Sequence, residues 1–126
     1  MMPEDATRVL VVEDEFLICD MIETVLCEHG FEVWSVGTAR EALTYLSDGA
    51  PCDVLFTDVN LPGDLDGEAL AHKVRAMRPD LPVVYATGSV TRLADLDAVA
   101  GAVLVPKPYS PERVCDLLRD LVAPLH

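Results

Sequence analysis

Arg8-Val-Leu-Val-Val12 runs without a break into Glu13-Asp14-Glu15. The apolar part does not alternate with polar residues, so it reads as a strand covered on both faces, the position of an inner strand in a parallel sheet packed between helices. Val54-Leu-Phe56 and Val83-Val-Tyr85 are continuously apolar in the same way and belong with it in the middle of that sheet. The full set of expected strands is Arg8 to Val12, Glu32 to Ser35, Val54 to Asp58, Val83 to Thr87 and Ala102 to Val105. Helical patterns separate them, and this alternation is the signature of an α/β fold with crossover helices.

Phe16, Leu17, Met21, Ile22, Val25 and Leu26 recur at helical spacing until Gly30, which suits a left-handed stop and places a first helix from Glu15 to about His29. Thr38-Ala-Arg-Glu41 reads as a capping box, the Thr38 hydroxyl and the Glu41 carboxylate each satisfying a free amide, and opens a second helix that ends near Gly49. A third is expected from about Gly67 to Arg78, stopped by Pro79, and a weakly patterned fourth from Thr91 to Val99. Pro111 opens a fifth that carries Val114, Leu117, Leu118 and Leu121. No linker, repeat or low-complexity stretch interrupts this pattern, so one domain over residues 1–126, with no output domain attached, is expected.

The length of 126 residues agrees with that, since a chain of this size buries about two thirds of its surface and needs no staples. With 22 acidic against 9 basic residues the net charge is -13, which argues against nucleic acid or an anionic membrane as partner. Cys19, Cys27, Cys52 and Cys115 show no CxxC spacing and read as buried thiols of a reducing cytoplasm rather than a disulfide frame or a zinc site. The start, Met-Met-Pro-Glu-Asp, lacks the features of a signal peptide, and every apolar run is too short to span a bilayer. A cytoplasmic protein is expected. His29, His72 and His126 read as surface histidines, Met21 and Met77 as core or gap filling, and Trp34 as a partly covered edge residue.

Ligands of a doubly wound sheet bind beyond the carboxyl ends of its strands. There, strand one delivers Glu13, Asp14 and Glu15, and strand three delivers Asp58. Carboxylates so placed repel one another unless a cation sits among them, and a hard divalent ion with oxygen ligands, Mg²⁺ before Ca²⁺, would resolve the conflict. Strand four ends in Thr87-Gly88 and strand five is followed by Lys107 between two prolines, so a hydroxyl and an ammonium face the acids. A nucleophile at a strand end, a metal and donors for three oxygens are what phosphoryl transfer to a carboxylate needs, and Asp58 is the candidate nucleophile.

Taken together and in order, Val9-Leu-Val-Val-Glu-Asp-Glu15, Leu55-Phe-Thr-Asp-Val-Asn-Leu-Pro-Gly63 with Asp66-Gly67, Ala86-Thr-Gly88 and Lys107-Pro108 resemble the response-regulator receiver domains of two-component signalling over nearly the whole chain. The resemblance implies a flavodoxin-like (βα)₅ doubly wound parallel sheet in the order 2-1-3-4-5. It implies that Asp58 is the phosphoacceptor, that Asp14 binds Mg²⁺ directly and Glu13 through water, and that the Asn60 backbone carbonyl completes the metal site. Thr87 matches the switch hydroxyl, Lys107 the ammonium that pairs with the phosphoryl group, and Pro108 a residue after a cis peptide. The implied partners are a sensor histidine kinase or a histidine phosphotransfer protein and a downstream protein, with the chain a monomer or weak dimer. It would be a phosphoacceptor that assists its own phosphorylation and dephosphorylation, not an enzyme.

Three departures from the family pattern stand out. Receivers often carry an aromatic residue three positions before the lysine, where this chain has Leu104 in a Gly101 to Lys107 segment one residue short. Tyr85-Ala-Thr-Gly88 resembles instead a subgroup of single-domain receivers with the ring before the threonine, so Tyr85 is a candidate switch aromatic as well as a candidate core residue. The stretch from Asp58 to Gly67 is one residue longer than usual, with Gly63 and Asp64 as the place of insertion. Competing readings are a non-phosphorylated docking module of receiver topology, an aspartyl-phosphate phosphatase and a flavin binder. The phosphatase reading is opposed by Asn60 where a second acid would stand, and the flavin reading by an acidic loop without phosphate donors.

Overall fold

In a computed structural model, which describes residues 6–88 and 94–122, five strands form one parallel sheet in the order β2-β1-β3-β4-β5. They are β1 (Arg8–Val12), β2 (Glu32–Val36), β3 (Val54–Asp58), β4 (Val83–Thr87) and β5 (Val103–Pro106). The helices are α1 (Phe16–Glu28), α2 (Ala39–Ser47), α3 (Gly67–Met77) and α4 (Pro111–Val122). Side-chain alternation along the strands divides the core into two layers. Leu10, Val12, Leu55, Val83 and Tyr85 meet Leu46 of α2 and Leu70 and Val74 of α3. Val9, Val11, Val54, Phe56 and Val84 meet Ile22 and Leu26 of α1 and Val114 and Leu118 of α4. All five residues of β3 and of β4 are buried, as their unbroken apolar runs require. The chain reverses direction across the sheet between β1 and β3, so the crevice at their carboxyl ends is the topological switch point.

Local signals explain most element ends. Thr38 Oγ1 accepts the Glu41 amide at 3.1 Å and so caps α2. The other half of the expected capping box differs, because the Glu41 carboxylate takes the Thr38 hydroxyl at 3.1 Å instead of a backbone amide. Asp66 caps α3 by accepting from the Ala69 amide at 2.9 Å. Gly30 has φ +89° and ends α1 as its position implied.

Other expectations need correction. Strand β2 extends one residue further, to Val36, and β5 is shifted by one, starting at Val103 and taking in Pro106, which an edge strand tolerates. Residues 91–93 of the expected fourth helix lie outside the described residues; Ala94 and Asp95 are helical and residues 96–99 are not. Phe16 and Leu17 are 79% and 80% exposed and Met21 is 41% exposed, so the buried seam of α1 is narrower than its apolar pattern. Met77 is also exposed, which overturns core filling for both methionines. Only Cys115 is a buried thiol; Cys19 and Cys52 are half-buried and Cys27 is exposed. Trp34 is an exposed edge residue whose ring stacks on Tyr45 at 5.4 Å.

Candidate functional site

Val12 of β1 stands opposite Thr57 of β3, so the residues that follow, Glu13 and Asp58, emerge side by side at the switch point. Glu13, Asp14 and Asp58 each offer a carboxylate oxygen, and the three lie within 4.8 Å of one another. Glu13 and Asp58 are buried and Asp14 is exposed, so the cluster opens to solvent on one side. Each buried carboxylate is oriented twice. Asp58 Oδ1 accepts the Asn60 amide at 3.2 Å and Oδ2 accepts Lys107 Nζ at 2.9 Å. Glu13 Oε1 accepts the Glu15 amide at 3.1 Å and Oε2 accepts Lys107 Nζ at 3.1 Å. The Lys107 ammonium thus bridges the two buried carboxylates and offsets part of their repulsion.

Backbone contacts bring the fourth and fifth strands to the same edge. The Lys107 amide donates to Thr87 O at 2.9 Å, and Thr87, buried, ends β4 in register with Pro106. The Lys107–Pro108 peptide is cis, as the resemblance implied. Burial works against the charged form of Lys107, but its hydrogen bonds to Asp58 and Glu13 outweigh this and hold its pKa above the usual lysine range. Burial, reinforced by the Asp58 charge, pushes the Glu13 carboxyl up against the opposing pull of the Glu15 amide and of Lys107. Burial likewise pushes the Tyr109 hydroxyl up to about 12.

The structure thus gathers Glu13, Asp14, Asp58, Asn60, Thr87, Lys107 and Pro108 at one edge. It places Tyr85 apart from them, fully buried in the core beneath the sheet edge, with Leu104 beside it in register on β5 and 42% exposed. At the expected place of the one-residue insertion the chain turns: Gly63 has φ +98°, and the Asp64 carboxylate pairs bidentately with the Arg40 guanidinium of α2.

Two features escaped the sequence reading. A Cβ at Gly67 would lie 1.9 Å from Asp58 O, because α3 begins pressed against the backbone that carries Asp58. The signal was present as Asp66-Gly67 at the start of a helical pattern. The Tyr109 hydroxyl is buried without a hydrogen-bond partner although its ring meets Phe56 edge-on at 5.6 Å, and no sequence signal marks it.

The sequence profile of the response regulator receiver domain matches residues 9–119. The chain belongs to the receiver-domain family. It is 36% identical to the transcriptional regulatory protein CreB of Escherichia coli over 117 residues, covering 90% of this chain and 50% of CreB. It is 37% identical to the transcriptional regulatory protein TcrA of Mycobacterium tuberculosis, covering 90% of this chain and 45% of TcrA. The receiver therefore spans about half the length of these curated relatives. Its fold matches a response regulator receiver protein from Sinorhizobium medicae with a TM-score of 0.87 at 24% identity, covering 96% and 98% of the two chains. The chemotaxis response regulator CheY4 of Vibrio cholerae matches with a TM-score of 0.77 at 26% identity, covering 92% and 98%. This receiver is a module of two-component signal transduction, and among its described residues no helix is long and apolar enough to cross a membrane.

Proposed function

We propose that this receiver accepts a phosphoryl group on Asp58. The observation that carries the reading is the Asp58 carboxylate held between the Asn60 amide and Lys107 Nζ, with oxygens of Glu13 and Asp14 within 4.8 Å. These are hard oxygen donors, few in number and open to water on the Asp14 side, a set that suits Mg²⁺. Asp14 and Asp58 would hold the ion directly, Glu13 through water, and Asn60 through its backbone carbonyl. When bound, the ion neutralises charge on the transferring phosphoryl oxygens.

In the transfer, an Asp58 oxygen attacks the phosphorus of a phosphohistidine, the P–N bond breaks, and the imidazole leaves with its electron pair. The carboxylate becomes a group of charge about -1.5 to -2. The Lys107 ammonium already touches Asp58 Oδ2 and follows the added charge, while the Thr87 hydroxyl at the end of β4 turns to the new oxygens. That movement shifts a two-state surface beside β5, where a downstream protein reads it. A sensor histidine kinase or a histidine phosphotransfer protein supplies the phosphoryl group, in the cytoplasm, and the output is a protein contact or a further relay.

Intact-mass analysis after incubation with Mg²⁺ and acetyl phosphate tests the reading. One phosphoryl adduct, hydroxylamine-labile, absent from Asp58→Asn and suppressed by chelator, is the expected result. No adduct from acetyl phosphate or from a histidine kinase would leave a docking module of receiver topology.

A further inference from the structure

Residues 96–99, which precede the turn into β5, are fastened by side chains from two other elements. Tyr85 Oη of β4 accepts the Val99 amide at 3.2 Å in the core. From α3, His72 Nε2 donates to Asp97 O at 2.7 Å, and Glu68 Oε1 accepts the Asp97 amide at 3.4 Å. The Asp97 carboxylate adds a contact to the same imidazole at 3.5 Å. Val99 is buried and Leu96 packs against the layer that contains Tyr85. Backbone donors that no helix or ladder satisfies are thus met by side chains, which is why this stretch holds a defined course without regular structure. Tyr85 and Thr87 are two residues apart on β4 and so lie on the same face of the strand.

We infer that the Tyr85 hydroxyl, with His72 and Glu68, forms a clasp that makes residues 96–99 follow the end of strand β4. A phenylalanine ring would fill the same core volume, so packing accounts for the ring and not for its oxygen. The consequence for signalling rests on the phosphoacceptor reading: when Thr87 moves, the strand end moves, and the clasp carries that displacement to residues 96–99 and to α3. Tyr85 is on this account a positioning residue acting through the Val99 amide.

Amide hydrogen exchange followed by NMR tests the clasp on the whole chain. In Tyr85→Phe, protection of the Val99 amide is expected to fall about tenfold while β1 amides keep theirs; in Glu68→Ala, which removes the acceptor of the Asp97 amide, that amide is expected to respond in the same way. Incubation with Mg²⁺ and acetyl phosphate is then expected to change Val99 exchange in the native chain and to change it less in Tyr85→Phe, although both take up one phosphoryl group. Unchanged protection of Val99 in Tyr85→Phe and of Asp97 in Glu68→Ala would overturn the clasp. Equal phosphorylation-induced changes in the native chain and Tyr85→Phe would overturn its part in signalling. Failure of both proteins to take up phosphoryl groups from acetyl phosphate and from a histidine kinase would instead sink the phosphoacceptor reading, leaving the unmodified proteins to decide the clasp.

Discussion

Gly67 and Asp58 meet backbone to backbone: the space a Cβ would need at residue 67 is filled by the Asp58 carbonyl, while the Gly67 amide donates to Val59 O at 2.8 Å. The start of α3 is thereby fixed against the strand end that presents the candidate phosphoacceptor. Gly67→Ala forces one of these backbones to shift and is expected to cost about 2 kcal/mol, in the range of overpacking a close contact. Urea denaturation measures it, and phosphoryl uptake at Asp58 should slow in the same variant.

Lys107 neutralises two buried carboxylates, so its removal should express itself through pH. In Lys107→Met, the buried Glu13 carboxyl loses its ammonium partner while burial and the neighbouring Asp58 charge still push its pKa up. A carboxyl held above its ordinary pKa favours folding at low pH, and that advantage is lost as pH rises through the raised value. The variant is therefore expected to be nearly as stable as the native chain near pH 4 and about 3 kcal/mol less stable near pH 7. Urea melts at the two pH values check this, and Mg²⁺ should raise the midpoint of the variant more than that of the native chain.

Tyr109→Phe removes a buried hydroxyl that has no partner and keeps the edge-on contact with Phe56. Stability is expected to be unchanged or to rise by up to about 1 kcal/mol. A loss of that size in thermal unfolding would mean that an ordered water satisfies the hydroxyl in solution.

The four thiols should separate by exposure and by acidity. Cys27 is exposed, whereas burial pushes the Cys52 thiol up to about 11 and Cys115 is buried. Because the thiolate reacts, Cys27 is expected to be labelled first by a disulfide reagent at pH 8, and Cys52 and Cys115 only on unfolding. Peptide mapping after timed labelling reads the order.

The strands and the acid edge were legible because two simple constraints act there. An unbroken apolar run must be covered on both faces, and residues at the carboxyl ends of parallel strands must gather at one edge, so the sequence alone places Glu13, Asp58, Thr87 and Lys107 together. Long-range contacts were not legible. Residues 96–99 carry helix-compatible residues, yet the Asp97 and Val99 amides are taken by Glu68 and Tyr85, whose proximity depends on how α3 and β4 pack. Phe16 and Leu17 fit the apolar period of α1 but point away from its seam with the sheet, which periodicity alone does not locate. The tightness at Gly67 depends on the angle at which α3 enters, and that angle is a property of the packed layers.

The candidate site draws Glu13 from just beyond the first strand and Lys107 from beyond the last, 94 positions later along the chain. No fragment that stops short of β5 holds both, so a chain still being synthesised has the acids without the ammonium. On the phosphoacceptor reading, competence for phosphoryl chemistry arrives late during translation, when the final strand docks. A molecule phosphorylated on Asp58 would then be one whose sheet has closed through to its last strand, and nascent or half-folded copies would go unmarked.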